Sequence, residues 1–239
     1  DVRHDYDGNP CSHRKAHNIY GMQMARATYQ GLKKYSHPKR PFVITRSAYS
    51  GTQRYTSTWT GDNVATWEHL WIANLQVQRM AMSGFSFAGS DIGGFAEQPH
   101  SELFTRWVQL GVFHPFFRVH SSGDHGDQEP WTFDEDVTDI VRKFIEIRYQ
   151  LLPYLYTAFW KYTDLGTPLL KSLVLYDQED VQTHYRTDEF IFGEQILVCP
   201  VLEPNAKGRR MYIPRGKWYN FWNDEIVKGG KETWVDADI

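Results

Sequence analysis

Short apolar segments that end in polar residues alternate with amphipathic segments of helical period through the first two thirds of this chain. The apolar segments span residues 41–46, 55–59, 85–90 and 116–120. Strands that alternate with helices, each strand ending in polar side chains, are typical of a parallel α/β unit. Four such strands make half of a (β/α)₈ barrel of the TIM type, in which reactive groups lie at the carboxyl ends of the strands.

The helices of this unit have recognisable ends. Asn18 is a candidate N-cap for the first helix, Thr66 for the second and Asp134 for a long fourth helix that Gly166 closes, while Ser101 and Glu102 open the third. Only nine residues separate Arg46 from Thr56, fewer than a crossover helix with its loops requires. This connection is therefore predicted to be irregular.

The pattern changes after Thr167, where short β-like segments are separated by turn residues. These segments are Leu169–Leu175, Phe190–Phe192, Ile196–Val201, Arg210–Ile213 and Trp218–Phe221. We predict two domains, the half barrel over residues 1–166 and an all-β domain, a β-sandwich, over residues 167–239. No closing strand is recognised at 234–239, so the β domain is expected to be incomplete.

Charge and cysteine usage exclude several classes of function. The net charge of −3 carries no basic cluster, so neither a nucleic acid nor a membrane surface is an expected partner, and the ligand is predicted to be uncharged. Cys11 and Cys199 have no metal or redox spacing, and the histidines and acids of 123–129 lack ligand spacing. The sequence predicts a soluble chain with no metal and no cofactor, and it assigns no localisation.

The stretch between Arg46 and Asn63 places a carboxylate, two guanidinium groups and an indole on a glycine-containing turn. A carboxylate beside a tryptophan is a common arrangement for an acid that acts on a sugar ring. Because parallel strands direct their carboxyl ends to one mouth, the barrel is expected to gather Arg46, Arg54, Trp59, Asp62, Asp91, Phe95, Arg118 and His120. Glycoside hydrolysis needs two carboxyl groups that flank the scissile bond.

Ordered motifs along nearly the whole chain carry a family resemblance. They are His17-Asn-Ile-Tyr-Gly21, Arg40-Pro-Phe-Val-Ile-Thr-Arg-Ser47, Trp59-Thr-Gly-Asp-Asn63, Gly89-Ser-Asp-Ile-Gly-Gly-Phe95, Pro115-Phe-Phe-Arg-Val-His120, Arg148-Tyr-Gln-Leu-Leu-Pro-Tyr-Leu-Tyr156 and Tyr212-Ile-Pro-Arg-Gly-Lys-Trp218. With these motifs the chain resembles glycoside hydrolase family 31, the retaining α-glucosidases and α-xylosidases. The resemblance implies the C-terminal half of the catalytic barrel followed by the start of the proximal C-terminal β domain.

The resemblance also implies roles for individual residues. The acid/base aspartate of the family falls on Asp62, and its substrate-binding arginine and histidine fall on Arg54 and His120. Trp59 and Phe95 line the first sugar subsite. Two further polar residues belong to the predicted substrate-binding set, Asp91 and Arg118.

The family's nucleophile lies in a Trp/Lys-x-Asp-Met-Asn-Glu segment, and no such segment is present in this sequence. We expect the second carboxylate to come from the preceding half of the same catalytic domain, in the same or another chain. The chain alone is therefore expected to be inactive.

Each candidate also has a structural explanation. The structural alternative for Asp62 is an acid at the N-terminus of a helix, satisfied by Asn63 and Thr66, and the resemblance favours catalysis over it. Asp91 either contacts the sugar or holds Arg118 in place. His120 is a candidate core imidazole, and Arg46 fits a loop-tying role better than sugar contact.

The activity that the resemblance implies is an exo-acting retaining α-glycoside hydrolase, an α-glucosidase in particular. It would release the terminal non-reducing α-linked sugar of an oligosaccharide or α-glucoside by double displacement. A carbohydrate-binding barrel without catalysis also fits the motifs. Three further activities of the same family fit them too, namely those of an α-glucan transglycosylase, an α-xylosidase and an α-galactosidase.

Overall fold

The structure, a computed structural model that describes residues 2–237, contains two compact units, residues 1–59 and residues 60–239. In the first unit, one long helix accompanies four short strands. The elements in chain order are β1 (Arg3–His4), β2 (Cys11–Ser12), α1 (His13–Tyr35), β3 (Ile44–Thr45) and β4 (Ser57–Trp59). Strands β1 and β2 pair antiparallel, whereas β3 and β4 pair parallel with Ile44 opposite Ser57.

Two predictions for the first unit meet different outcomes. The connection between β3 and β4 is irregular as predicted: its only regular element among the described residues is a 3₁₀ turn, Thr52–Arg54. The predicted start of the first helix at Asn18 is wrong, because α1 begins at His13 with Ser12 in the extended N-cap position. The polar residues 13–15 hide this first turn from an analysis of apolar spacing, although Ala16 within it is buried.

The second unit opens with three helices and three very short strands. These are α2 (Trp67–Met82), β5 (Ala88–Gly89), β6 (Asp91–Ile92), α3 (Ser101–Gly111), β7 (Arg118–Val119) and α4 (Glu135–Leu165). The predicted ends of α2 and α4 are confirmed, because Thr66 Oγ1 accepts from the His69 amide and Asp134 Oδ1 from the Val137 amide. Gly166 ends α4 at a φ of 73°. Helix α3 begins at Ser101 with Glu102 in its first turn, as predicted, and the side chain of His100 caps it.

The core of this unit lies between the inner faces of α2, α3 and α4. Its largest fully buried aromatic side chains are those of Trp107, Phe104, Phe190 and Phe192. The guanidinium of Arg148 on α4 donates to the carbonyls of Val112, His114 and Pro115 at 2.7 to 3.0 Å. Since buried carbonyls need hydrogen-bond partners, this one side chain fixes the turn that leads from α3 to β7. That turn delivers the end of β7 to the candidate site.

The remainder of the second unit is mainly antiparallel β structure. Its elements are β8 (Leu170–Ser172), α5 (Leu173–Tyr176), β9 (Phe190–Phe192), β10 (Ile196–Val198), β11 (Gly208–Ile213), β12 (Lys217–Tyr219), β13 (Ile226–Lys228) and β14 (Lys231–Asp236). The strands form a three-stranded sheet, β10-β9-β8, and two pairs, β11-β14 and β12-β13. The β character predicted for this region is confirmed, and the division at residue 166 remains a prediction.

Two details of the β region differ from the expectation. Residues 173–176 form the short helix α5 where the sequence suggested a strand through Leu175. No closing strand was recognised at 234–239, but β14 (Lys231–Asp236) reaches into this range and pairs with β11 along its full length, while residues 238 and 239 lie outside the described residues. The alternation that marks a strand is weak here because the large apolar side chain of Trp234 is exposed while Thr233 and Val235 are half-buried. No helix in the described residues is long and apolar enough to span a membrane.

The β region contains a fully buried carboxyl group, that of Glu189. Its Oε1 accepts from the Tyr212 amide at 2.8 Å and lies 3.2 Å from a guanidinium nitrogen of Arg209. Burial raises the pKa of Glu189 to about 7, and the nearby charge of Asp188 adds to this shift. The Tyr212 amide and the positive charges of Arg209 and Arg186 oppose it.

We expect the stability of the protein to fall as the pH rises from about 4.5 to about 7. In this window the unfolded carboxyl has lost its proton and the folded Glu189 still holds it, so the folded state binds more protons. The loss is on the order of 2 to 3 kcal/mol. Urea unfolding at several pH values measures it, and Glu189→Gln, which mimics the protonated group, should flatten the dependence. The control variant Glu203→Gln, which changes an exposed carboxyl group, should keep the pH dependence of stability. If stability fell as steeply with pH in Glu189→Gln as in the parent protein, Glu189 would not be the group responsible.

Candidate active site

The ends of β6 and β7 bring two of the predicted site residues into direct contact. Asp91 and Arg118 stand opposite each other in the parallel pair, and their side chains form an ion pair of 2.6 Å. The Asp91 side chain is 0% exposed, whereas that of Arg118 is 31% exposed. The carboxylate therefore lies beneath the guanidinium and holds it at the end of the strand.

Burial gives Asp91 unusual electrostatics for a paired carboxylate. Desolvation raises its pKa above the ordinary value, against the lowering effects of the Arg118 hydrogen bond and charge and of the charge on His120. The negative charge of Asp62 raises the Asp91 pKa as well, so the two carboxyl groups are close enough to interact. Because Asp91 is enclosed and committed to Arg118, this geometry favours a positioning role for Asp91 over direct sugar contact.

His120 and Phe95 form an aromatic pair beside this ion pair. Their ring centroids are 5.3 Å apart and their planes are tilted by 38°. His120 is exposed and Phe95 is half-buried. An imidazole that donates hydrogen bonds, next to an aromatic face, is suited to a sugar ring that presents hydroxyl groups on its edge and C–H groups on its face.

Asp62 is carried by a loop that is hydrogen-bonded to the loop of Phe95. The backbone amides of Phe95 and Ala96 donate to the carbonyl of Asn63 at 2.7 and 3.1 Å. In return, the Ala65 amide donates to the carbonyl of Ala96 at 2.9 Å. The side chain of Asp62 is exposed, one residue before this clamp. The acid and the aromatic face are thus held by one set of backbone hydrogen bonds, which we call the 63–96 clamp.

A glycine allows the two clamped loops to lie this close. Gly94 has a φ of 95°, and a Cβ added to it would lie 2.6 Å from the Ala65 nitrogen and 2.7 Å from the Ala65 Cα. No other residue type fits, because the backbone conformation is left-handed and the neighbouring atoms are backbone.

A buried amide, that of Gln128, also supports the Phe95 loop. The Nε2 of Gln128 donates to the carbonyl of Gly94 at 3.1 Å and to that of Glu97 at 3.4 Å. Glu97 has a φ of 64°, an uncommon backbone conformation for a residue with a side chain. Gln128 therefore satisfies carbonyls of a loop that has an irregular backbone. This side chain lies in the 123–129 segment, which the sequence analysis considered only as a possible metal site.

Two of the seven predicted site residues, Arg54 and Trp59, belong to the first unit. Arg54 ends the 3₁₀ turn, where its Nε donates to the carbonyl of Gly51 at 3.2 Å and its guanidinium lies 5.3 Å from the ring centroid of Tyr55. Trp59 is the last residue of β4 and is half-buried. Arg46 is exposed in the segment that follows β3. Each therefore lies at or just beyond the end of a regular element, as the sequence analysis expected of site residues.

The other five predicted residues lie together in the second unit: Asp62, Asp91, Phe95, Arg118 and His120. The sequence analysis missed three residues that hold them in place, Asn63, Gly94 and Gln128. The consecutive glycines at 93 and 94 after an apolar segment were the available signal for close backbone approach. Gln128 offered no local signal, because its role depends on contacts with residues more than thirty positions earlier in the chain.

This arrangement can donate or accept a proton at an exposed carboxyl group beside a cationic and aromatic surface. It does not supply a second reactive carboxylate, since Asp91 is buried under Arg118. Double displacement at a glycosidic centre requires two carboxyl groups about 5 to 5.5 Å apart. The geometry is therefore that of one half of a glycosidase site.

Comparison with known proteins identifies the family. The Glycosyl hydrolases family 31 TIM-barrel domain matches residues 1–158, and the Glycosyl hydrolase family 31 C-terminal domain matches residues 166–239. The chain is 42% identical over 238 residues to Alpha-glucosidase 2 of Bacillus thermoamyloliquefaciens, and the match covers 100% of this chain and 30% of that protein.

Solved structures share the fold closely. A Tris-bound glucosidase II alpha subunit superposes with a TM-score of 0.93 at 35% identity, over 97% of this chain and 26% of that one. A Flavobacterium johnsoniae dextranase complexed with glucose gives 0.88 at 34% identity, over 94% and 29% of the two chains. This chain thus spans less than a third of the length of these relatives. Because the barrel-domain match alone covers more than half of its residues, the chain belongs to glycoside hydrolase family 31.

Proposed function

We propose that this chain carries the acid/base half of a retaining α-glucosidase that removes terminal α-linked glucose from oligosaccharides. The observation that supports it most is the exposed Asp62 on the 63–96 clamp, next to Phe95 and His120. In the proposed reaction Asp62 protonates the leaving glycosidic oxygen while a second carboxylate attacks the anomeric carbon. Asp62 then takes a proton from the water that releases the sugar, and the α configuration is retained.

The second carboxylate is proposed to come from the preceding half of the same catalytic domain. Asp91 cannot take this role, because its carboxylate is fully buried and bonded to Arg118. A family nucleophile segment is also absent from the sequence. The proposed substrate-binding set is Arg54, Trp59, Phe95, Arg118 and His120, with Asp91 as the residue that positions Arg118.

Glucose is the proposed sugar because the relatives point to it. One is named an alpha-glucosidase, and two of the solved structures are a glucosidase II subunit and a dextranase in complex with glucose. The same motifs in this chain are compatible with an α-xylosidase, an α-galactosidase or a transglycosylase, so the sugar needs a direct test.

An assay of the full-length protein on p-nitrophenyl α-glucoside, α-xyloside and α-galactoside tests the proposal. We expect the α-glucoside to be cleaved fastest, and ¹H NMR to detect α-glucose as the first-formed anomer. First appearance of β-glucose would exclude a retaining mechanism. Binding of the glycosides without turnover would instead favour a carbohydrate-binding barrel, and transfer to added maltose in preference to water would favour a transglycosylase.

A further inference from the structure

A groove of about 990 Å³ lies on the second unit, between the start of α2 and the strands β11 and β14. Three indoles line it, those of Trp67, Trp71 and Trp234, and we call it the tryptophan groove. None of Asp62, Asp91, Phe95, Arg118 or His120 is among its lining residues. The groove is therefore separate from the candidate active site.

Two of the three indoles of the groove are exposed, whereas Trp67 is half-buried, and the ring nitrogens of Trp67 and Trp234 are hydrogen-bonded. Trp71 is 42% exposed and Trp234 is 56% exposed. The Nε1 of Trp234 donates to Asp236 Oδ1 at 2.8 Å, and that of Trp67 donates to the His100 ring at 3.3 Å. Large aromatic faces that are kept in water, with their polar nitrogens already bonded, are typical of surfaces that bind a ligand by stacking.

The backbone beneath Trp234 is shaped to receive its ring. A Cβ on Gly208 would lie 2.7 Å from Cζ2 of Trp234 and 2.5 Å from the carbonyl oxygen of Val235. Only glycine lets the indole lie directly against β11 at this position. The ring is thus pre-organised, so a ligand that stacks on it would lose little free energy to ordering the side chain.

The charges around the groove balance each other. It is lined by three acidic and three basic side chains: Glu68, Asp188, Glu203, Lys207, Arg209 and Arg210. The exposed Glu68, Glu203 and Lys207 form no hydrogen bond or ion pair with another side chain in the part of the chain that the structure describes. Interspersed donors and acceptors without a net charge suit an uncharged ligand that carries many hydroxyl groups.

We propose that the tryptophan groove is a second carbohydrate-binding site, which holds a segment of a neutral oligosaccharide away from the catalytic centre. The volume is at the upper end of the range for small-molecule sites, so several linked sugars fit better than one. The C–H faces of successive sugar rings would stack on the indoles while their hydroxyl groups bond to the surrounding charged side chains.

The test uses the full-length protein with Asp62→Asn, which prevents turnover, and with excess 1-deoxynojirimycin to occupy the catalytic site. Maltohexaose and isomaltohexaose are the probes, and isothermal titration calorimetry measures their binding. The inference rests on the proposed function only in the choice of these glucans. Binding is measured without catalysis, so a failure of the groove and a failure of Asp62 as the acid are distinguishable.

We expect one oligosaccharide to bind per protein under these conditions. Trp234→Ala and Trp71→Ala should each weaken binding about tenfold, from the loss of one stacking face. Trp160→Ala removes an indole of matched exposure, 57%, that lies outside the groove, and should leave binding unchanged. Equal affinity in all the variants would overturn the proposal. Complete loss of binding in the presence of the inhibitor would overturn the proposal as well. Failure of acrylamide to quench the fluorescence of Trp234 would also overturn it, because the groove would then be covered.

Discussion

Replacing Asp62 with asparagine in the full-length protein is expected to abolish glucose release from maltose. The glucose leaving group of maltose departs poorly without a proton, and the asparagine amide cannot supply one. General acid catalysis contributes about 10²- to 10⁴-fold to such a step, so the kcat on maltose should fall by at least about a thousandfold. Circular dichroism and thermal unfolding of the variant should match the parent protein, because the Asp62 side chain is exposed.

The same variant should still react with activated substrates. An aryl α-glucoside such as 2,4-dinitrophenyl α-glucoside has a leaving group that needs little protonation, so the glycosyl-enzyme can form without Asp62. Water then attacks slowly, since the general base is missing. Azide needs no base, so it should accelerate turnover and yield α-glucosyl azide, because it attacks the face opposite the carboxylate that holds the β-linked intermediate.

Asp124→Asn provides the control for charge. Asp124 is an exposed carboxylate in the loop that follows β7, and its removal changes the net charge by the same amount. Its activity on maltose should stay within about twofold of the parent, as expected for an exposed side chain whose loss disturbs no buried contact. Full activity of Asp62→Asn on maltose would show that another group is the acid, and a β-glucosyl azide product would contradict double displacement.

The start of α2 and both ends of α4 were predicted correctly because their signals are local, whereas the start of α1 and the short helix α5 were missed. Thr66, Asp134 and Gly166 are capping residues whose side chain or backbone conformation acts within one turn of the helix end. The strands were predicted poorly in their bounds, because ladders such as Ala88–Gly89 and Arg118–Val119 contain only two residues. A run of apolar residues in the sequence indicates which segment is buried. The first and last residues of the strand depend instead on its pairing with a neighbouring strand, which the sequence of the segment does not show.

The candidate site also contains features that the sequence predicted and features that it did not. Asp62, Phe95 and His120 were predicted from reactive residue types at strand ends together with the family motifs, and their roles remain predictions. The 63–96 clamp was not found, because it consists of backbone hydrogen bonds that leave little trace in residue type. For Asp91 the sequence left two roles open, contact with the sugar and support of Arg118. Its complete burial beneath Arg118, which only the structure shows, favours the support of Arg118.

Replacing Gly94 with alanine is expected to reduce activity strongly without removing any functional group. The new Cβ would meet the backbone of Ala65, which cannot rotate away as a side chain can. The two loops must then separate, at the expense of the Phe95–Asn63 and Ala65–Ala96 hydrogen bonds that join them. A displacement of about 1 Å near a reacting centre costs on the order of a hundredfold in rate, so kcat on maltose should fall by about that factor.

Gly166→Ala is the matched control for backbone strain. Gly166 has a φ of 73°, in the same left-handed region as the 95° of Gly94, but a Cβ added to it would meet no atom of the described residues within 4 Å. The two variants should therefore lose similar stability from the left-handed conformation, roughly 1 to 2 kcal/mol, which thermal unfolding measures. Their activities should differ, because only Gly94→Ala moves the loop of Asp62 against that of Phe95. Equal losses of kcat in both variants would mean that general instability, and not the 63–96 clamp, sets the rate.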